Sequence, residues 1–258
     1  MMISGYPIWV VGLICVGVFI ASFVDAIGGG GGIISLPSYL LAGLPTHFAL
    51  GTNKLSSCIG TVASTVRYIK SGWVDWFLGI PSIILALVGS HFGTRLHLML
   101  DEKYLQYILL AVLPVIAVFM LRKKNLPEQK GDMKKWLRCT IVWSASLVIG
   151  AYDGFYGPGT GTFLLLIFCS LAKLDVRTAS GNVKLVNLAS NIGALVTSLI
   201  AGKVIISIGL ISAVFSIAGQ YLGAGLALKN GSKIVKPVIF IVLILLTGKV
   251  LLELFGVM

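Results

Sequence analysis

Charged side chains are scarce in this sequence. Asp, Glu, Lys and Arg make up 11% of its 258 residues, where a water-soluble domain carries about 25%. Hydrophobic residues reach 57%, and mean hydropathy is +0.99. A fold of this size cannot hide that much apolar surface from water by itself, which excludes an ordinary soluble protein and makes lipid its solvent. Metal-site and redox patterns are missing too. Cys15, Cys58, Cys139 and Cys169 are scattered with no Cys-x-x-Cys, and His47, His91 and His97 show no ligand spacing. The cysteines therefore read as small buried hydrophobes, and no metal or cofactor is implied. Neither His-Glu-x-x-His nor Gly-x-Ser-x-Gly occurs, which removes two common hydrolase signatures. The apolar run 7–24 has no basic residue before it and no small-residue cleavage pattern after it. It reads as a first membrane helix rather than a signal peptide.

What the sequence has in excess is positive charge, +11 net. The basic residues lie mostly between apolar spans, so they read as orientation determinants rather than as a nucleic-acid surface, and no nucleic-acid partner is implied. A spanning helix needs about 20 apolar residues. Segments of that order occur at 7–24, 47–69, 76–96, 104–121, 178–200, 204–228 and 234–254, with 137–152 slightly short. Two stretches, 33–43 and 162–172, are too short to cross straight through. Each follows a glycine-rich break, Gly28 to Gly32 in one case and Gly157-Pro158-Gly159-Thr160-Gly161 in the other. Short, interrupted apolar segments at matching places in two halves point to a transporter's binding site.

The halves can be aligned. An offset of 130 residues pairs Gly51, Lys54 and Leu55 with Gly181, Lys184 and Leu185, and Gly89 and Gly93 with Gly219 and Gly223. Upstream, an offset of 128 pairs Asp25, Gly29 and Gly31 with Asp153, Gly157 and Gly159. A basic loop, 122–138, joins the halves; Arg122, Lys123, Lys124, Lys130, Lys134, Lys135 and Arg138 make it cytoplasmic. If every segment crosses, the cytoplasmic side also gains Arg67, Lys70, Lys173, Arg177, Lys229, Lys233 and Lys236, leaving Arg95, Lys103 and Lys203 outside. If the two short segments only re-enter, that bias nearly vanishes. The charge pattern thus favours ten crossings, five per half, and an odd number per half inverts one repeat against the other with both termini outside.

Asp25 and Asp153 stand apart from the other acidic residues, since each precedes a glycine break inside an apolar region. Two roles fit: a protonatable or cation-binding carboxylate that couples transport, or a cap for backbone N–H groups freed by the break. Lys54 and Lys184 are a sharper signal. An ammonium at mid-helix costs about 2.5–3.5 kcal/mol to insert, so each should face a polar cavity. It would serve there as an anion ligand, as a partner of Asp25 or Asp153, or as both in turn. The breaks suit an anion as well. Gly29, Gly31, Gly157 and Gly159 let successive N–H groups share one concavity, and the short helix that follows adds its positive dipole end. Thr52, Asn53, Ser56, Ser57, Asn182, Asn187, Ser190 and Asn191 supply neutral polar groups near the lysines. Asn187 follows Lys184 by three residues, so both project to one side of a helix. The Gly-x-x-x-Gly pairs 89/93 and 219/223, flanked by His91 and Gln220, read as helix-packing positions.

Two long segments carry a family resemblance. FVDAIGGGGGIISLPSYLLAGLPTHFALGTNKLSSCIGTVASTVRYIKSGWVDW resembles the first signature of the TauE/SafE sulfite-exporter family, and GAYDGFYGPGTGTFLLLIFCSLAKLDVRTASGNVKLVNLASNIGALVTSLIAGKV resembles the second. The resemblance covers nearly the whole chain. It implies a transporter of sulfur-containing anions such as sulfite, sulfoacetate and other sulfonates, with Asp25, Gly29, Gly31, Asn53, Lys54, Asp153, Gly157, Gly159, Asn182 and Lys184 at the matching positions. Thr52-Asn53 precedes Lys54 whereas Asn182-Val183 precedes Lys184, so the two half-sites need not be chemically equivalent.

The expectation is then an all-α polytopic membrane protein of two inverted five-segment repeats with broken helices. The first repeat covers 1–121, the basic linker 122–138 and the second repeat 139–258, in a bacterial inner membrane with the linker cytoplasmic. It would move a small anionic sulfur compound by alternating access, coupled to a proton through Asp25 or Asp153. An anion channel using the same site is one alternative. An intramembrane aspartyl-type enzyme built on Asp25 and Asp153 is another, and the lysine that accompanies each carboxylate argues against it.

Overall fold

A computed structural model describes residues 2–101, 131–231, 233–235, 237, 238 and 241. The expected spans 104–121 and 234–254 (apart from a few residues of the latter) and linker residues 122–130 lie outside the described residues. Within them the chain forms α1 (Ile8–Gly28), α2 (Gly32–Leu41), α3 (Thr46–Lys70), α4 (Trp76–Met99), α5 (Lys135–Phe155), α6 (Thr160–Ser170), α7 (Val176–Ile200) and α8 (Ile206–Asn230). Two-residue strands, β1 (Met2–Ile3) and β2 (Tyr6–Pro7), pair antiparallel ahead of α1. Ser4 and Gly5 turn that small hairpin with positive φ, and the Ser4 hydroxyl meets the Ser207 hydroxyl at the start of α8.

Helix lengths repeat along the chain: 21, 10, 25 and 24 residues, then 21, 11, 25 and 25. At 1.5 Å per residue the long helices extend about 32–38 Å and the short ones about 15–17 Å, against a hydrocarbon core of about 30 Å. By length and composition α1, α4, α7 and α8 suit a membrane crossing. Their outward faces are apolar at helical spacing, as at Ile80, Ile84, Val88, Phe92 and Leu96 of α4 and at Leu13, Val16 and Ile20 of α1, all exposed. The protein is an all-α multi-pass membrane protein.

Helix α3, expected as an apolar span at 47–69, has the length to cross but not an apolar sequence. Its middle carries Thr52, Asn53, Lys54 and Ser56, all buried, because α3 sits against α7 and α8 rather than against lipid alone. Helix α5, expected to be slightly short, is full length. It starts at Lys135, inside the segment assigned to the linker, and runs through Asp153 to Phe155. Its first turn is held by Arg138, which donates to the Ala172 carbonyl at 2.9 Å and the Gly131 carbonyl at 2.8 Å.

Packing follows the glycines. Helix α1 lies along α8, and α4 along α5. Gly219 and Gly223 press against the Phe19 and Phe23 carbonyls, and Gly89 and Gly93 against those of Leu147 and Ala151, where a Cβ would overlap the facing backbone. These are the close approaches that small residues permit between membrane helices. Inside, α3 packs on α8 as α7 packs on α4, and α3 and α7 face each other. Exchanging the first four helices for the last four leaves this contact scheme unchanged. Basic residues collect at one end. Lys135 lies over the Phe77 ring at 4.0 Å, Arg177 over Trp73 at 5.2 Å and Arg67 over Tyr221 at 4.2 Å. The opposite end joins the starts of α1 and α3 to the α7–α8 turn, through Ser4 with Ser207 and Lys203 over Phe48.

Candidate functional site

The site begins with two interrupted helices. Helix α1 stops at Gly28 because Gly29 and Gly30 take φ of 75° and 84°, a left-handed region that costs other residues roughly 1–2 kcal/mol. Helix α5 stops before Gly157, whose φ is 96°. The two breaks touch. A Cβ on Gly29 would collide with the backbone of Gly161 and Thr162, and the Thr162 hydroxyl donates to the Gly28 carbonyl at 2.9 Å. Each break leaves two opposite ends close together: the carbonyl end of the long helix and the N–H end of the short helix that follows.

The aspartates near the ends of the two long helices are met by lysines from the other half. Lys184 of α7 donates to the Asp25 carbonyl at 2.6 Å and to Asp25 Oδ2 at 2.7 Å. Lys54 of α3 pairs with Asp153 Oδ2 at 2.8 Å and donates to Asn191 Oδ1 at 3.1 Å. The Lys54 and Lys184 side chains are only 4% and 3% exposed, so each ammonium depends on these partners for solvation. The two carboxylates are held differently. Asp25 also accepts from Gln220 Nε2 at 2.9 Å and from the Gly31 N–H at 3.3 Å. Asp153 also accepts from the Ser190 hydroxyl, at 2.6 Å and on the same Oδ2. Sequence reading had left each lysine open to either aspartate; the geometry crosses them between halves.

A cavity of about 50 Å³ opens between the breaks. At about 10–15 Å³ per water by this measure, it holds a few water-sized groups. Of the candidate residues, Asp25, Gly31, Asn53, Lys54, Ser57, Asp153, Gly157 and Asn187 line it. Gly29, Gly159, Asn182 and Lys184 do not. Gly29 sits where the breaks cross, and a Cβ on Gly159 would meet the Phe163 ring at 3.1 Å. Asn182 donates to the Thr178 carbonyl at 2.9 Å and faces α4 at Gly79. Lys184 reaches the cavity only through Asp25.

Asn191, one of the polar groups near the lysines, also lines the cavity. Other lining residues do not stand out in the sequence: Thr61 lies one turn past Ser57, so helical spacing alone would have found it. Gln220 carried no such signal; it looked like a neighbour of packing glycines, and its role depends on α8 lying against α1. Tyr156 and Thr160 flank the second break and also line the cavity. The N–H ends of both short helices, at Gly32 and at Thr160 and Gly161, border this space. A helix N-terminus carries roughly half a positive charge, so the cavity presents two such ends and one ammonium to whatever enters. Among the described residues no three His, Cys, Asp or Glu side chains gather as metal ligands would. The four cysteines are free, with Cys58 half-buried and the other three buried.

Comparisons with known proteins agree over most of the chain. The family model described as "Sulfite exporter TauE/SafE" matches residues 13–250. A "Probable membrane transporter protein ORF9" of Sinorhizobium sp is 36% identical over 241 residues, covering 92% of this chain and 91% of that protein. A "Probable membrane transporter protein" of Haemophilus influenzae is 32% identical over 248 residues, 93% of this chain and 94% of its own length. The "Probable membrane transporter protein YfcA" of Escherichia coli is 32% identical over 238 residues, covering 92% of this chain and 88% of that protein. No solved structure matches.

Proposed function

The chain belongs to the TauE/SafE sulfite exporter family, a family of membrane transporters, and from that premise we propose that it carries a small sulfur-containing anion, bound at Lys54 between the two glycine breaks. One observation carries this reading: the N–H ends of α2 and α6 and the Lys54 ammonium converge on a single cavity. Backbone N–H groups at helix N-termini suit an oxyanion without further machinery. Asn53, Ser57, Asn187 and Asn191 add neutral polar groups around it. A cavity of about 50 Å³ suits a compact head group, so sulfite or the sulfonate group of sulfoacetate is the substrate class we favour.

The architecture we propose around the site is ten membrane segments in two inverted repeats, 1–121 and 139–258, joined by the linker 122–138, whose last residues, from Lys135, already belong to α5. Support comes from the exchange-symmetric helix contacts and from the placement of the two chain starts. Helix α1 begins beside Ser207 at one end, whereas α5 begins beside Phe77 at the basic end. By the positive-inside rule that basic end is cytoplasmic, in a bacterial inner membrane. Transport then proceeds by the halves rocking about the site to expose it to each side in turn, coupled to a proton through one of the two aspartates. An enzyme of aspartyl type would hold its two carboxylates together over a shared proton. Here each bonds an ammonium instead, which favours transport.

The test is counterflow in proteoliposomes. Vesicles loaded with unlabelled sulfite are expected to accumulate labelled sulfite transiently, with sulfoacetate and thiosulfate competing and acetate not. Flux that grows linearly with concentration and shows no counterflow would establish the channel alternative. Absence of flux for every sulfur anion would overturn the reading.

A further inference from the structure

The two ion pairs occupy equivalent places in the repeat, yet their surroundings differ. We infer that they do different work: Lys54–Asp153 is the pair that substrate opens, with Asp153 taking up the accompanying proton, and Lys184–Asp25 is a fixed strut. This inference rests on the anion-site reading above.

The strut assignment follows from how Lys184 is bound. Its ammonium closes the carbonyl end of α1, bonding both the Asp25 carbonyl and the Asp25 carboxylate, and it does not line the cavity. The carboxylate it holds has two further donors, Gln220 Nε2 and the Gly31 N–H. An arrangement with that many bonds ties α7, α1 and α8 together and leaves an incoming anion nothing to displace. The repeat shows why this happens in only one half. Gln220 corresponds to Ser90 at the offset of 130 residues, and the Ser90 hydroxyl donates to the Ser190 carbonyl rather than to a carboxylate.

The other pair is built to come apart. Lys54 and Asp153 both line the cavity. Both bonds to Asp153 fall on Oδ2, while Oδ1 lies beside the break, 3.0 Å from where a Cβ on Gly157 would stand. Substrate reaching the Lys54 ammonium must share it with Asp153. Two negative groups on one buried ammonium leave an uncompensated charge, which is costly where the groups are buried. A proton on Asp153 Oδ1 removes that excess. It enters with the anion, rests on the carboxyl oxygen while Lys54 holds the anion, and leaves when the anion leaves and the pair re-forms. The balance is one proton per anion.

Sodium does not fit the same role. In transporters with broken helices the carbonyl ends of the half-helices are where sodium is coordinated. Here a lysine ammonium already sits on the carbonyl end of α1, 2.6 Å from its oxygen, and a second sits on the aspartate of α5. The groups that face Asp153 are consistent with proton traffic at that residue alone. Helix α3 presents Lys54 and α7 presents Ser190. Helix α4 presents Ser90 and Thr94, the latter bonded to the Gly154 carbonyl, with His97 against Phe155 and the His47 ring. Tyr152 and Tyr156 lie along and just beyond its own helix, and Tyr152 donates its hydroxyl to the Pro158 carbonyl.

Infrared difference spectroscopy on purified protein, with sulfite added as the probe, reads the proton directly. Wild type is expected to gain a carboxylic-acid C=O band on sulfite addition. The band should disappear in Asp153→Asn, move in Asp153→Glu, and stay unmoved in Asp25→Glu, which keeps the charge paired with Lys184. Asp153→Glu keeps a titratable group, so the assignment stands or falls even if Asp153→Asn does not fold. A band that persists unmoved in Asp153→Glu, or that moves in Asp25→Glu, would overturn the division of roles while leaving the anion site intact. Sulfite binding with no carboxylic-acid band would likewise remove the proton step alone. Failure of wild type to bind any sulfur anion would remove the site reading itself.

Discussion

Neutralising both members of the Lys184–Asp25 pair should cost clearly less than the two single losses added together. The Lys184 side chain is 3% exposed, and that of Asp25 is 18% exposed. Breaking a buried pair by removing one partner costs about 3–5 kcal/mol, because the remaining charge is left without compensation. For Lys184→Met we expect the lower part of that range, about 3 kcal/mol, since Asp25 keeps Gln220 and the Gly31 N–H and is partly open to the cavity. For Asp25→Asn we expect the upper part, about 4–5 kcal/mol, because the Lys184 ammonium keeps only a carbonyl and an amide oxygen within reach. The double variant Lys184→Met/Asp25→Asn carries no charge at this place. Its cost should fall below the sum of the singles by about 2–3 kcal/mol, the upper range for groups in direct contact. Unfolding in mixed micelles, titrated with a denaturing detergent and followed by circular dichroism, measures all three. The mismatched double variant Lys54→Met/Asp25→Asn serves as the comparison. Additive costs for Lys184 with Asp25, or stronger coupling in the mismatched set, would refute the crossing of partners between halves.

Three further outcomes follow from particular contacts. Gly29→Ala and Gly72→Ala share a φ of 75° but differ in space: the first collides with the Gly161 backbone, and the second meets nothing within 4 Å. Gly72→Ala should therefore lower stability by about 1–2 kcal/mol, whereas Gly29→Ala should lose measurably more in the same micelle assay and abolish counterflow. Gly93→Val should separate α4 from α5 at Ala151, cutting folded yield in membranes to well below that of Gly131→Val, where the atoms nearest a Cβ belong to the flexible Lys173 side chain. A single cysteine at Asp132, in a background lacking the native four, should react with a membrane-impermeant maleimide in inside-out vesicles and not in intact cells. Labelling in intact cells would contradict the cytoplasmic placement of the basic end.

The features legible in the sequence are those that violate the composition around them. Glycine runs inside apolar stretches announced both helix breaks, and ionisable Asp25, Asp153, Lys54 and Lys184 stood out because a charge in lipid demands a polar partner. The repeat offset then placed each in its half. Pairing between halves was not legible, because periodicity along one helix says nothing about which helix faces it. That is why each lysine was left open to either aspartate, and why Gln220, whose role depends on α8 packing against α1, passed for a packing neighbour. Asn182 is the complementary case. Its polar type near Lys184 suggested the cavity, but being two residues before Lys184 turns it toward Gly79 on α4, whereas Asn187 and Asn191 follow at the spacing that keeps them on the cavity side. The start of α5 differs from the expectation because Lys135 and Arg138 read as loop by charge, although a helix end at the membrane edge accommodates such side chains.

The central claim is that Lys54 holds the anion. Isothermal titration of sulfite into purified protein, for wild type and for Lys54→Gln with Lys203→Gln as a control at the α7–α8 turn, tests it directly. The account predicts saturable binding to wild type and to Lys203→Gln, and loss of binding in Lys54→Gln. Sulfite bound equally by Lys54→Gln and wild type would contradict it.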